Sequence, residues 1–149
     1  MKKVKIYTDG ACSYNPGPGG WGCVLIYGEK QKQMSGFEDN TTNNRMELMA
    51  VIKALDELKE ACEVDLFTDS AYVSNAFLQD WISNWARNGW RGSDKKEVKN
   101  KELWQRLLNL TKKHKVTFHK VKGHSDNELN NLCDKLATGE IEKNKKTCD

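Results

Sequence analysis

The chain has 149 residues, 38% of them hydrophobic and 30% charged, which suits one soluble domain that buries a core without disulfide staples. No apolar run approaches the ~20 residues needed to span a bilayer. The opening Met1-Lys2-Lys3-Val4 enters a strand pattern with no signal-peptide core, so the expected location is cytoplasmic.

Residues 3–9 alternate, with Val4, Ile6 and Thr8 opposed to Lys5, Tyr7 and Asp9, which predicts a strand closing on Asp9. Gly10 to Gly20, with its Asn15-Pro16-Gly17-Pro18-Gly19-Gly20 run, is expected to be a loop. Trp21 to Tyr27 and Gln31 to Phe37 read as a hairpin turning at Gly28-Glu29-Lys30, so the first three strands should be antiparallel neighbours. Thr41-Thr42-Asn43-Asn44 is a helix-start cluster, and Met46, Met49, Ile52 and Leu55 follow at helical spacing. A fourth strand is expected over Val64 to Thr68, with short helices over Ala71 to Leu78 and Asp80 to Asn88. A polar loop over Gly89 to Asn100 precedes a helix over Glu102 to Lys113, a fifth strand over Val116 to Val121 and a last helix over Glu128 to Ile141. A polar tail at 142–149 closes the chain. This order predicts an α/β fold, a mixed five-stranded sheet with helices packed on it, as one domain over 1–149.

The five cysteines are odd in number and match no zinc spacing, so they are expected to be thiols. The net charge of +3 is less telling than its placement. Residues 81–101 hold Arg87, Arg91, Lys95, Lys96, Lys99 and Lys101 against Asp94 and Glu97, a surplus of +4 that leaves the rest of the chain slightly acidic. A basic patch on a near-neutral domain points to a polyanionic partner. Trp81, Trp85 and Trp90 interleave with it, and indole rings beside Arg and Lys can cover a sugar-phosphate backbone or anchor the segment to the core.

Two strand patterns end in an acid: Asp9, before Gly10, and Asp69, before Ser70. A strand-helix-strand order between them favours parallel strands with both acids at one sheet edge, where open α/β sheets bind ligands. Glu47, in the first turns of the intervening helix, would join them. Clustered carboxylates repel unless a cation neutralises them, and an all-oxygen set suits a hard divalent ion. The plainer readings are that each Asp caps a turn and that Asn44-x-x-Glu47 is a capping box. Asp134 lies on the last helix between Leu132-Cys133 and Leu136-Ala137, another acid beside apolar neighbours, which on its own reads as a salt-bridge partner of Lys135 or another surface base. His124, in the loop after the fifth strand, suits proton transfer if it faces the carboxylate edge. His114 and His119 read as surface or sheet residues. Asn15, Asn43 and Asn44 are uncharged donors at the same edge, suited to turn and cap formation or to minor-groove contacts. The helix start at Thr42 to Asn44 offers N–H groups to a phosphate.

Taken together, Thr8-Asp9-Gly10, Asn15 through Gly20, Thr42-Asn43-Asn44-Arg45-Met46-Glu47-Leu48, Thr68-Asp69-Ser70, Lys99-Asn100, Leu103-Trp104, Val121-Lys122-Gly123-His124 and Asn130 through Asp134 resemble bacterial type 1 ribonuclease H, in that family's order and over nearly the whole chain. The resemblance implies the ribonuclease H-like fold and an endonuclease that hydrolyses the RNA strand of RNA/DNA hybrids with two Mg2+ ions, Mn2+ substituting, leaving 5′-phosphate and 3′-hydroxyl ends. It implies Asp9, Glu47, Asp69 and Asp134 as metal ligands, and His124 in proton transfer or product release. It places Asn15, Asn43 and Asn44 on the hybrid's minor groove, Thr42 on a DNA phosphate, and Trp81, Trp85, Arg87, Trp90, Arg91, Lys95, Lys96 and Lys99 in a basic protrusion that binds the hybrid. Where the family often carries a glutamine that contacts the RNA strand, this chain has Ala71, which cannot make that hydrogen bond. The chain is expected to act as a monomer. A catalytically silent hybrid-binding module and an integrase-like polynucleotidyl transferase are the alternatives.

Overall fold

The computed structural model describes residues 1–122 and 127–145. Five strands, β1 (Lys2–Cys12), β2 (Gly17–Tyr27), β3 (Lys30–Thr41), β4 (Cys62–Thr68) and β5 (Lys115–Lys120), form one sheet in the order β3-β2-β1-β4-β5. The β1–β2 and β2–β3 pairs are antiparallel, and β1–β4 and β4–β5 are parallel. The expected mixed sheet is therefore the observed one. Five helices accompany it: α1 (Asn43–Glu57), α2 (Ala71–Leu78), α3 (Trp81–Arg87), α4 (Lys101–Lys113) and α5 (Glu128–Lys145).

Every parallel step is a crossover through helix, which is what parallel neighbours require. Strand alternation sends Val4 and Ile6 of β1 and Val64 and Leu66 of β4 into the core, where they meet α1 and the fully buried Trp104 and Leu107 of α4. α1 is buried along most of its length, from Met46 to Leu55, so its stability comes from packing between the sheet and α4 more than from intrinsic propensity.

Several boundaries differ from the sequence reading, for identifiable reasons. β1 does not stop at Asp9: its antiparallel ladder with β2 continues to Cys12↔Gly19, while its parallel ladder with β4 stops at Thr8↔Thr68. β2 and β3 are longer than their apolar cores suggest, because pairing carries polar Glu38 and the glycines along with it. The segment after α3 is not a plain loop. Arg91 and Glu97 form an antiparallel bridge, reinforced by Val98 N–H donating to the Trp90 carbonyl at 2.9 Å. α5 continues to Lys145, taking in the first residues of the expected tail. His114 is not a surface residue: it is 2% exposed, and its Nδ1 accepts the Cys62 N–H at 3.1 Å, tying the end of α4 to the start of β4. Burial holds its pKa below the ordinary value, the charge of Lys113 adding to the effect.

Two glycines in β2 set how closely α5 docks. A Cβ on Gly20 would lie 2.2 Å from the Ala137 carbonyl oxygen, and one on Gly22 would lie 2.6 Å from that of Cys133. The helix backbone thus rests directly on the strand, a close approach that only glycine permits. Gly139, on the same helix, has nothing within 4 Å of its would-be Cβ. We therefore expect opposite outcomes from one substitution at two sites in urea denaturation. Gly22→Ala should destabilise by about 1–3 kcal/mol through overpacking against backbone. Gly139→Ala should stabilise by about 0.5–1 kcal/mol by improving helix propensity.

Candidate active site

The end of the β1–β4 ladder is where the site is built. Thr8 and Thr68 are register partners with no exposed surface, and the next residue on each strand is an acid, Asp9 and Asp69. The backbone flanking Asp69 is fixed by a short relay. The Ser70 N–H donates to Thr68 Oγ1 at 3.0 Å, and Ser70 Oγ accepts the Val73 N–H at 3.2 Å as the cap of α2. The Asp9 carboxylate accepts the Gly10 N–H at 2.9 Å.

Glu47 arrives from the helix packed on β1. A Cβ on Gly10 would lie 2.4 Å from the Glu47 nitrogen and 2.5 Å from the Met46 carbonyl carbon, so the strand has no side chain where α1 crosses it. That contact carries Glu47 to the carboxylates. The capping-box reading does not hold: Thr42 is the cap, its Oγ1 accepting the Arg45 N–H at 3.2 Å, and Glu47 Oε2 is buried with no hydrogen-bond partner.

Oxygens of Asp9, Glu47 and Asp69 lie within 4.8 Å of one another. Asp9 and Glu47 are each 5% exposed. Among the described residues, no Lys, Arg or His forms an ion pair with any of the three. Loss of hydration raises the Asp9 pKa to about 7, with the Asp69 charge adding to it. Glu47 is raised well above its ordinary value by burial, then by the charges of Asp9 and Asp69. Asp134, half-buried on α5, stands outside the 4.8 Å group, although its charge also raises Asp9. α5 is seated there by the same glycine contact that fixes its docking, since Gly22 is the register partner of Asp9 and meets Cys133, the neighbour of Asp134.

An all-oxygen set of buried, mutually repelling carboxylates, one of them with an orphaned oxygen, fits a hard divalent cation. The set stands at the carboxyl ends of two parallel strands in a mixed sheet of this order, and the family model for RNase H matches residues 1–142. The chain belongs to the RNase H family.

The ribonuclease H of Acetivibrio thermocellus is 66% identical over 146 residues, 98% of this chain and 99% of that one. Among solved structures, LC9-RNase H1, a type 1 RNase H with the type 2 active-site motif, superposes with a TM-score of 0.85 at 28% identity, covering 96% of this chain and 74% of that one. LC11-RNase H1, solved in complex with an RNA/DNA hybrid, gives 0.71 at 25% identity, covering 95% and 98%.

Around this RNase H centre the polar candidates gather on one edge. Asn15 Oδ1 accepts the Asn43 N–H at 3.0 Å, joining the β1–β2 loop to the start of α1, and Asn15, Asn43 and Asn44 are all exposed. With Thr42 Oγ1 occupied as an acceptor by the cap, its hydroxyl proton is still available to donate. His124 lies outside the described residues.

In the basic segment the three tryptophans divide their work. Trp85 stands edge-on to the buried Trp104, with ring centroids 5.3 Å apart, and Trp85 and Trp90 pack against the core. Trp81, 38% exposed, lies 6.4 Å from Trp85 on the outward side. Arg87 is bound to Asn84, and Arg91 Nη1 donates to the Lys95 carbonyl at 3.0 Å, while Lys95, Lys96 and Lys99 are exposed.

Sequence reasoning missed Tyr72. Its hydroxyl accepts from Trp104 Nε1 at 3.1 Å and Asn100 Nδ2 at 3.2 Å, so the first turn of α2, just past Asp69, holds the root of the basic segment. No local pattern marks that role. Nor does any local pattern assign a role to Gly10, whereas the pair Gly20 and Gly22, two apart in β2, is the sequence signal for a helix lying on the strand.

A folded Asp9 pKa above the unfolded value means the folded protein binds more protons, so stability without metal falls as pH rises from about 4 toward 7 and stays low beyond. Asp9→Asn keeps an acceptor for the Gly10 N–H and removes the buried charge. In metal-free buffer near pH 8 it should raise the unfolding free energy by on the order of 2–4 kcal/mol, with the gain vanishing near pH 4. A chemical-denaturation series across pH measures this.

Proposed function

We propose that this chain is an endonuclease that hydrolyses the RNA strand of RNA/DNA hybrids, with Asp9, Glu47, Asp69 and Asp134 holding two Mg2+ ions, which Mn2+ can replace. The observation that carries the reading is the buried Asp9–Glu47–Asp69 cluster without a cationic partner among the described residues, in a member of the RNase H family. When bound, the two ions supply an activated water and charge stabilisation of the leaving 3′-oxygen across the scissile phosphate. Cleavage then leaves 5′-phosphate and 3′-hydroxyl ends.

The chain's own residues have separable tasks in this scheme. The four carboxylates must be deprotonated to bind, and their clustering supplies the drive for a cation to displace the protons that burial retains. Gly10 and Gly22 hold the elements that bear Glu47 and Asp134 at the sheet edge. His124 is proposed to assist proton transfer or product release. Asn15, Asn43 and Asn44 hydrogen-bond sugar and base edges in the hybrid's minor groove, where 2′-hydroxyls distinguish RNA from DNA. Thr42 holds a DNA phosphate through its free hydroxyl proton. Trp81, with Trp85, Arg87, Trp90, Arg91, Lys95, Lys96 and Lys99 behind and around it, covers the backbone beyond the site. Ala71 removes one RNA contact that relatives often make, so more of the affinity rests on these phosphate contacts.

No helix among the described residues is long and apolar enough to cross a membrane. The thiols of Cys12, Cys23, Cys62 and Cys133 are free, which supports a reducing, cytoplasmic setting. The protein is proposed to act there as a monomer.

The test is cleavage of one labelled RNA strand, free, in duplex RNA and paired with DNA, with Mg2+ or with chelator. Only the hybrid with Mg2+ should be cut, and Glu47→Gln should lower the rate by at least on the order of a hundredfold. Hybrid binding by the variant should persist and weaken with salt, as phosphate contacts require. Tight hybrid binding by the wild type without cleavage would instead support the silent binding module.

A further inference from the structure

At the end of the sheet opposite the carboxylates, the start of β1, the β2–β3 turn and the C-terminal end of α1 enclose a groove of about 860 Å3. That volume falls within the range of small-molecule sites. Its floor is apolar: Val4, Leu25 and Cys62 lie beneath, with Leu58 and the exposed ring of Tyr27 as walls.

The rim carries four lysines and two glutamates. Both glutamates are already engaged. Glu60 pairs with Lys2 at 2.9 Å, and Glu57 pairs with Lys32 at 2.6 Å. Lys2 also sits over the Tyr27 ring, 5.4 Å from its centre. Lys30 and Lys59 form no ion pair among the described residues and leave the rim with surplus positive charge. Apolar floor and cationic rim together define the ligand. A cation would be repelled. A neutral apolar molecule would leave the lysines unused, and a polyanion would gain nothing from the floor.

We propose that this groove is a binding site for a small amphipathic anion, an apolar body with a single carboxylate or sulfonate head. The body lies on Val4, Leu25 and Leu58 against Tyr27, and the head sits between Lys30 and Lys59. Glu57 is ten residues along α1 from Glu47, about 15 Å at the helical rise, so the site is separate from the carboxylate centre. The proposal does not rest on the nuclease reading.

The experiment is a fluorescence titration of the full chain with anilinonaphthalene sulfonate, followed by amide NMR, with near-ultraviolet circular dichroism checking that the fold is intact. One saturable site is expected, displaced by decanoate, with shifts centred on Leu25, Tyr27, Leu58 and Cys62. Lys30→Glu with Lys59→Glu should weaken binding about tenfold, whereas Lys112→Glu with Lys113→Glu, which changes net charge equally on α4, should not. Tyr27→Ala, which removes a wall and no charge, should weaken it as well. The proposal is overturned by absence of saturable binding, by shifts centred on Trp81 and Trp85, or by equal affinity in the two charge-reversed variants.

Discussion

Three carboxylates held within 4.8 Å of one another, two of them nearly buried and none ion-paired with a cationic side chain among the described residues, are a standing repulsion that the fold must sustain. The cost is borne by the best-packed part of the molecule. Asp9 and Asp69 extend from the central parallel ladder one residue past the buried Thr8↔Thr68 pair, and Glu47 comes from a helix buried along most of its length. None of these elements can yield without opening the core. The acids respond by retaining protons, Asp9 up to about pH 7. The cluster is thus a preorganised concentration of negative charge, and its retention of protons and its cost to stability are two expressions of one arrangement.

Close backbone approach makes that arrangement possible. Gly10 lets α1 settle onto β1, and Gly20 and Gly22 let α5 settle onto β2. Each contact lies beside an acid: Gly10 follows Asp9 and meets Glu47, and Gly22 pairs with Asp9 and meets Cys133 next to Asp134. A methyl group at either point would push the helix that bears Glu47 or Asp134 outward. The basic segment hangs on a different support, the Tyr72 hydroxyl and the Trp85–Trp104 edge contact, which root it to the helix that begins beside Asp69. The basic segment and the carboxylate cluster are therefore joined structurally through α2.

Much of this was legible in the sequence because it rests on local pattern. The alternation of β1 and β4, the helical spacing of Met46 to Leu55 and the acid closing each parallel ladder follow from periods of two and of 3.6 residues. Their coincidence with family motifs fixed the remaining site residues as expectations. What local pattern does not carry are contacts between distant segments. The burial of His114 depends on the Cys62 N–H, fifty-two positions away. The extra length of β1 comes from its pairing with β2, and the cap of α1 is Thr42 and not Asn44. The Arg91↔Glu97 bridge lies in a segment whose charge pattern conceals its pairing.

Whether these carboxylates hold the metal can be read from the protons released when Mg2+ binds, counted by titration calorimetry in buffers of different ionisation enthalpy. Near pH 6.5 protons should be released on binding, because Asp9, raised to about 7, is largely protonated in the free protein and must ionise, and Glu47 is shifted in the same direction; the share from Asp9 should fall as the pH rises past 7. Binding without proton release near pH 6.5 would mean that the ligands are already ionised or lie elsewhere.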